Sequence, residues 1–228
     1  MTPHFDTGTD RCSWAAKELR SKKLIVLQGD EPLINSRMLQ KFMTVVETIN
    51  NENCLVNGLN PISPHGDHDP NTVKAYCDKD NHIYGLTRRP SSAQQTSLVS
   101  FQSGPYRQLG LYGGLLSSFE AFKCLTRSPL ETTENIEMLR WIFHGKQLLA
   151  AQLNGALVSV DTPTDLKNVQ NLFSNDWSLI PSSSAFLHRF IKIERSTHIL
   201  LKNGSAKCQI IKKRVACEVT IGMHPKML

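Results

Sequence analysis

Two aspartates stand where short apolar runs give out. Leu24-Ile25-Val26-Leu27 leads straight into Gln28-Gly29-Asp30-Glu31-Pro32, and Leu157-Val158-Ser159-Val160 leads into Asp161. A buried strand that ends in an acidic turn sets a carboxylate at the carboxyl edge of a sheet, where open α/β sheets bind ligands. A hard divalent cation such as Mg²⁺ takes carboxylate oxygens and completes its shell with substrate phosphates. Two such carboxylates at neighbouring strand ends suit a reaction of a nucleoside triphosphate. Aspartates after strands also serve as turn and capping residues, so the pair alone leaves both readings open.

The elements that must carry these residues follow from periodicity. Met38, Leu39, Phe42, Met43, Val45 and Val46 recur at helical spacing after the Asp30 turn. Cys54 to Gly58 reads as a second strand. Pro61 to Pro70 reads as a loop, and Thr72–Cys77 with His82–Leu86 reads as a hairpin around Asp78-Lys79-Asp80-Asn81. Pro90 to Gly104, rich in Ser and Gln, is expected to be a mobile surface loop. A short strand is predicted over Leu109–Tyr112, then a helix through Phe119 and Phe122. Ile136, Leu139 and Phe143 predict a helix over Glu134–His144, and Leu157–Val160 predicts another strand. Thr162, Pro163 and Asp165 make a near capping box with proline at the first helical position, and Leu166, Val169 and Phe173 give that helix its buried face. Strands alternating with helices imply a mainly parallel, three-layer α/β sheet.

Composition narrows the class. The chain has 228 residues, 40% of them hydrophobic, enough for a packed core. No apolar run approaches the roughly 18 residues of a membrane span, and the N-terminus lacks a signal pattern. The chain reads as soluble and cytoplasmic, with no membrane partner. The six cysteines form no CxxC pair, which argues for reduced, mostly buried thiols rather than a zinc site or a disulfide scaffold. The net charge of +6 is uneven: residues 175–228 carry nine basic and three acidic side chains, whereas residues 1–174 balance. This divides the chain into an α/β domain, 1–174, and a basic extension, 175–228, with Pro181-Ser182-Ser183-Ser184 as a linker. The extension shows no nucleic-acid motif or aromatic stacking pattern, so its basic character reads as a solvated surface and not as a nucleic-acid site.

Five motifs occur in order: Thr7-Gly8-Thr9-Asp10-Arg11, Gln28-Gly29-Asp30-Glu31-Pro32, Arg107-Gln108-Leu109-Gly110-Leu111-Tyr112, Ser128-Pro129-Leu130-Glu131 and Val160-Asp161-Thr162-Pro163-Thr164-Asp165-Leu166. Together they closely resemble the 3-deoxy-manno-octulosonate cytidylyltransferase (CMP-Kdo synthetase) family over about residues 1–173. The resemblance implies a Rossmann-like, GT-A-like nucleotidyltransferase fold. It implies CMP transfer from CTP to the acid sugar Kdo, with release of pyrophosphate, for lipopolysaccharide synthesis. It implies that Asp30 and Asp161 are catalytic and bind Mg²⁺. It assigns Thr7 and Gly8 to the cytosine, and Arg11, Gln28, Arg88, Gln108, Tyr112 and Glu137 to the sugar pocket. Lys74 also matches a family pattern, with no role beyond surface or strand packing. A homodimer is the family's common state.

The departures carry expectations of their own. The family usually has His at Gln108 and Gln at Met138. Its loop of Pro-Ala-Arg and Pro-Gly-Lys, which neutralises the transferred phosphate, does not occur in these residues. Met1-Thr2 fits an internal position of the family, so the chain is expected to be N-terminally truncated and impaired in transfer, because that electrostatic contribution is the main catalytic one. The alternatives are a cytidylyltransferase for another acid sugar, of the sialic-acid type, and a non-catalytic binding protein with a basic tail.

Overall fold

The computed structural model describes residues 7–62, 68–90, 105–175, 197–203 and 207–210. Its elements run in the order α1 (Gly8–Glu18), β1 (Lys23–Gln28), α2 (Ser36–Thr48), β2 (Cys54–Pro61), β3 (Lys74–Cys77), β4 (Ile83–Thr87), β5 (Tyr106–Leu115), α3 (Leu116–Cys124), α4 (Pro129–Glu134), α5 (Met138–Phe143), β6 (Gln147–Gln152), α6 (Pro163–Asn175), β7 (Thr197–Asn203) and β8 (Lys207–Ile210).

Helix starts are set by side-chain caps. Thr7 Oγ1 accepts from the Asp10 N–H and Asn35 Oδ1 from the Met38 N–H. Ser128 Oγ accepts from the Glu131 N–H, and Thr162 Oγ1 from the Asp165 N–H. Each satisfies a backbone donor that the first helical turn leaves over. At Thr162 the box closes both ways, since Asp165 Oδ2 accepts from the Thr162 N–H.

β1 is buried on both faces, and its residues divide between two cores. Leu24 and Val26 pack with Cys12, Ala15, Phe119 and Phe122 of α1 and α3. Ile25 and Leu27 pack with Leu39, Phe42 and Val46 of α2. The sheet is therefore the middle of three layers. At the centre of the second core, a Cβ on Gly113 of β5 would lie 2.4 Å from Val46 Cγ2, so only glycine lets α2 approach the sheet so closely.

Sheet order is β4-β3-β5-β1-β7-β8, with β2 on the opposite edge of β5 from β1 and β6 beyond β2. The pairing corrects the expectation of a mainly parallel sheet. Among the described strands, β1–β7 and β2–β6 are parallel. β5 runs antiparallel to β1, β2 and β3, and the β3–β4 and β7–β8 pairs are antiparallel as well. The reason is connectivity. α2 provides a crossover from β1 to β2, as parallel strands require, but β5 inserts between those two and runs against both. The hairpin expected around Asp78–Asn81 is present as β3–β4.

Three further readings change. Leu157–Val160 is not a strand among the described residues but an irregular segment; its apolar pattern has no ladder to join. The strand is β6, whose alanines gave it weak β character. The helix over Glu134–His144 breaks at Asn135, which takes a left-handed conformation with φ of 54°. That leaves α4 and α5, joined by a buried Arg140–Glu131 pair at 2.8 and 2.5 Å. Within the basic extension, β7 and β8 join the sheet beside β1. Residues 63–67 and 91–104 of the two loops, and the linker at 181–184, lie outside the described residues. Among the described residues no helix is long and apolar enough to cross a membrane. Cys12, Cys54 and Cys77 are buried and Cys124 is exposed.

Candidate active-site cleft

A cleft of about 560 Å³ opens at the carboxyl ends of β1 and β2. Gln28, Asp30, Arg88, Gln108, Tyr112, Glu137 and Asp161 all line it. Of the residues singled out from sequence, Thr7, Gly8 and Arg11 do not line it. Thr7 and Gly8 begin α1, and Arg11 Nε is buried without a hydrogen-bond partner. α1 still reaches the cleft wall, because Thr9 Oγ1 donates to Glu137 Oε2 at 2.9 Å.

Asp30 and Asp161 come together through the backbone: the Val160 N–H donates to the Asp30 carbonyl oxygen at 2.9 Å. Asp30 Oδ1 is buried and lacks a hydrogen-bond partner. Partial desolvation, followed by the negative charges of Asp30 and Asp165, pushes the Asp161 carboxyl above its usual range, with Arg107 and Arg88 opposing. An unpaired buried carboxylate oxygen in a cleft that a second carboxylate also lines is what a hard cation would satisfy. The described residues contain no group of three or more His, Cys, Asp or Glu able to hold a metal. Two carboxylates would therefore have to share the ion with a ligand's oxygens, which is the usual arrangement for Mg²⁺.

Among the sugar-pocket candidates, Gln28, Gln108 and Arg88 are each held by other residues. Gln28 lies across Gly110, where a Cβ would come within 2.7 Å of Gln28 Oε1. Asn57 Nδ2 donates to the carbonyls of Gly58, Leu109 and Leu111, which leaves its Oδ1 to accept Gln108 Nε2 at 2.6 Å. Arg88 Nη1 donates to the Asn71 carbonyl at 2.8 Å and Nε to the Glu134 carbonyl at 3.1 Å. Its neighbour Arg89 is 78% exposed and lies outside the cleft. Burial, with Glu137 and Asp30 adding to it, pushes the Tyr112 phenol far up, so it stays a neutral hydrogen-bonding group. Met138 is fully buried in the core and does not line the cleft.

Contacts that support the cleft wall were not apparent from sequence. Lys74, for which no role beyond surface or strand packing was expected, is fully buried in β3. Its Nζ donates to the carbonyls of Asp69, Thr72 and Arg88 at 2.7, 3.1 and 2.8 Å. Glu31 is likewise buried beside Asp30. It takes Arg107 Nη2 at 3.0 Å, the Gly110 N–H at 3.1 Å and Ser159 Oγ at 2.9 Å. Burial raises its carboxyl while Arg107 and the other two donors lower it. Glu31 and Arg107 stand inside quoted motifs, but nothing in their spacing shows that they meet.

Comparisons with known proteins give a family and a fold. A sequence model described as Cytidylyltransferase matches residues 1–155. The chain is 33% identical over 178 residues to a 3-deoxy-manno-octulosonate cytidylyltransferase of Chlorobium phaeobacteroides, covering 76% of this chain and 70% of that one. It is 30% identical over 173 residues to the protein of that name from Nitratiruptor sp., covering 74% and 71%. A solved CMP:2-keto-3-deoxy-manno-octonic acid synthetase complexed with CTP superposes with a TM-score of 0.65 at 22% identity, covering 75% of this chain and 69% of that one. An apo UDP-glucose pyrophosphorylase gives 0.53 at 10% identity, covering 76% and 62%. These two likenesses bear on the fold alone, a mixed α/β architecture.

Proposed function

The chain belongs to the cytidylyltransferase family, and from that premise we propose that it transfers CMP from CTP to 3-deoxy-D-manno-octulosonate, releasing pyrophosphate, in lipopolysaccharide biosynthesis in the cytoplasm. The observation that carries the reading is the meeting of Asp30 and Asp161 in one cleft with the polar residues of a sugar pocket. The anomeric hydroxyl gives up its proton to solvent as its oxygen attacks the α-phosphorus, the bond from that phosphorus to the α,β-bridging oxygen breaks, and pyrophosphate leaves.

Asp30 and Asp161 would hold Mg²⁺. When bound, that ion neutralises phosphate charge and makes the attacking hydroxyl more acidic. The cleft needs such a cation. Asp30, Glu31, Asp69, Glu137, Asp161 and Asp165 line it against Arg88 and Arg107, so it repels an unaided triphosphate. Arg88 suits the sugar carboxylate, since a guanidinium pairs with a carboxylate in a planar fork. With Nε2 committed to Asn57, Gln108 offers its carbonyl oxygen to a sugar hydroxyl. Two copies are proposed to associate, which light scattering on the purified chain would test.

Calorimetry tests the substrate. With Mg²⁺ and CMP present, Kdo is expected to bind more tightly than N-acetylneuraminate, and Arg88→Ala to weaken Kdo by about tenfold or more. Preference for the sialic acid would transfer the reading to that substrate, and binding of neither would overturn it.

A further inference from the structure

We infer that Glu31, Arg107 and Ser159 form a clasp that sets Asp161 against Asp30, and that the three are positioning residues for the divalent cation the two aspartates share. This deepens the reading above and rests on it. The two aspartates reach the cleft on unlike supports. Asp30 follows directly from β1, which is hydrogen-bonded along its length to β5. Asp161 ends a segment without a ladder among the described residues.

What replaces the ladder is a set of polar contacts spaced along that segment. Arg107 Nη1 donates to the Leu157 carbonyl at 2.7 Å. Ser159 Oγ donates to Glu31 Oε1 at 2.9 Å, and Arg107 Nη2 donates to Ser159 Oγ. The Val160 N–H reaches the Asp30 carbonyl. On the far side of Asp161, the Thr162–Asp165 box fixes the start of α6. Glu31 is the residue after Asp30, so the clasp measures the position of Asp161 from the backbone that carries Asp30. Glu31 is anchored in its turn by the Gly110 N–H and the Arg107 guanidinium.

Stability alone does not account for the clasp. A buried ion pair costs desolvation and often gains nothing over well-packed apolar residues of the same volume. What it provides here is geometry, since slipping Asp161 by one residue would break the contacts of Leu157, Ser159 and Val160 together. Residues that orient metal ligands from behind in this way typically control about 10- to 100-fold in metal affinity or activity.

The test is Mn²⁺ binding by electron paramagnetic resonance, with CTP present, alongside thermal unfolding of each variant. Glu31→Gln is expected to weaken Mn²⁺ by about 10- to 100-fold, and Ser159→Ala by about tenfold. Ser159→Ala is expected to lower the Tm by no more than about 4 °C. Ser159→Thr, which keeps the hydroxyl, restores Mn²⁺ affinity. Leu148→Ala, in the core away from the cleft, lowers the Tm further but leaves the affinity of the folded protein unchanged. If Ser159→Ala and Glu31→Gln bind Mn²⁺ as the wild type does while Asp161→Asn does not, the clasp is overturned and the metal reading stands. Should Glu31→Gln fail to fold, the Ser159 pair decides alone. A wild-type chain that binds no Mn²⁺ overturns the metal reading and the clasp with it.

Discussion

The carboxyl end of β1 and the segment Leu157–Asp161 each deliver an aspartate to the cleft, by different physics. β1 is fixed by ladder bonds and by burial on both faces, with Leu24, Ile25 and Val26 fully buried. The later segment has no ladder among the described residues and only Leu157 buried, in the second core, and its course depends on Arg107, Ser159 and Glu31. One aspartate is placed by the fold, the other by side chains that the fold has already placed. Similar sequence, an apolar run followed by Asp, therefore does not imply similar support.

Four experiments bear on this contrast. Asp30→Asn and Asp161→Asn should each reduce Mn²⁺ affinity by about 100-fold or more, since each removes one of two carboxylate ligands. A large effect from only one of them would break the symmetry of the site. Leu24→Ala should destabilise by about 2–5 kcal/mol in urea unfolding, because a buried leucine leaves a cavity. Ser159→Ala, which removes the bonds to Glu31 and from Arg107 while both of those keep other partners, should cost only about 1 kcal/mol. Equal costs would mean that the segment is as much a part of the core as β1 is. Gly113→Ala should cost about 1–3 kcal/mol by overpacking against Val46 and Phe42. Gly155→Ala, whose Cβ would meet only the flexible end of Met38, should fall below about 1 kcal/mol.

The smallest effect concerns the thiols. Burial pushes Cys54 and Cys77 up to about 11. A raised thiol pKa means less thiolate, the reactive form, at pH 8. Iodoacetamide at that pH should label exposed Cys124 before Cys12, Cys54 or Cys77, as read by peptide mass spectrometry. Early labelling of Cys54 would show that the β1–β2 side of the core opens readily.

How much of this was legible in the sequence follows the same contrast. β1, α2, the β3–β4 hairpin and the cap of α6 were readable because their signals are local: an apolar run, a helical period, a turn tetrad, a Thr-Pro-x-Asp box. The resemblance further drew ten residues together, of which Gln28, Asp30, Arg88, Gln108, Tyr112, Glu137 and Asp161 line the cleft and Thr7, Gly8 and Arg11 do not. What was not readable depends on distant partners. β5 runs against its neighbours because of where it inserts, which no window of its own residues encodes. Leu157–Val160 alternates like a strand yet finds no ladder, and Asn135 breaks a helix whose apolar spacing runs through it. For Lys74 the choice between surface and strand packing stayed open, because only the folded chain supplies the three carbonyls that make its burial tolerable. Glu31 and Arg107 are 76 positions apart and meet only through the β1–β5 pairing.

The central claim is that Asp30 and Asp161 share one divalent ion beside a bound nucleotide. Crystals of the chain grown with CTP and Mn²⁺, measured for anomalous scattering, test it most directly. The account requires a single Mn²⁺ peak within about 2.2 Å of one carboxylate oxygen from each aspartate, with phosphate oxygens completing the shell. A peak bound to only one of them, or the two carboxylates turned away from each other around an ordered nucleotide, would contradict it.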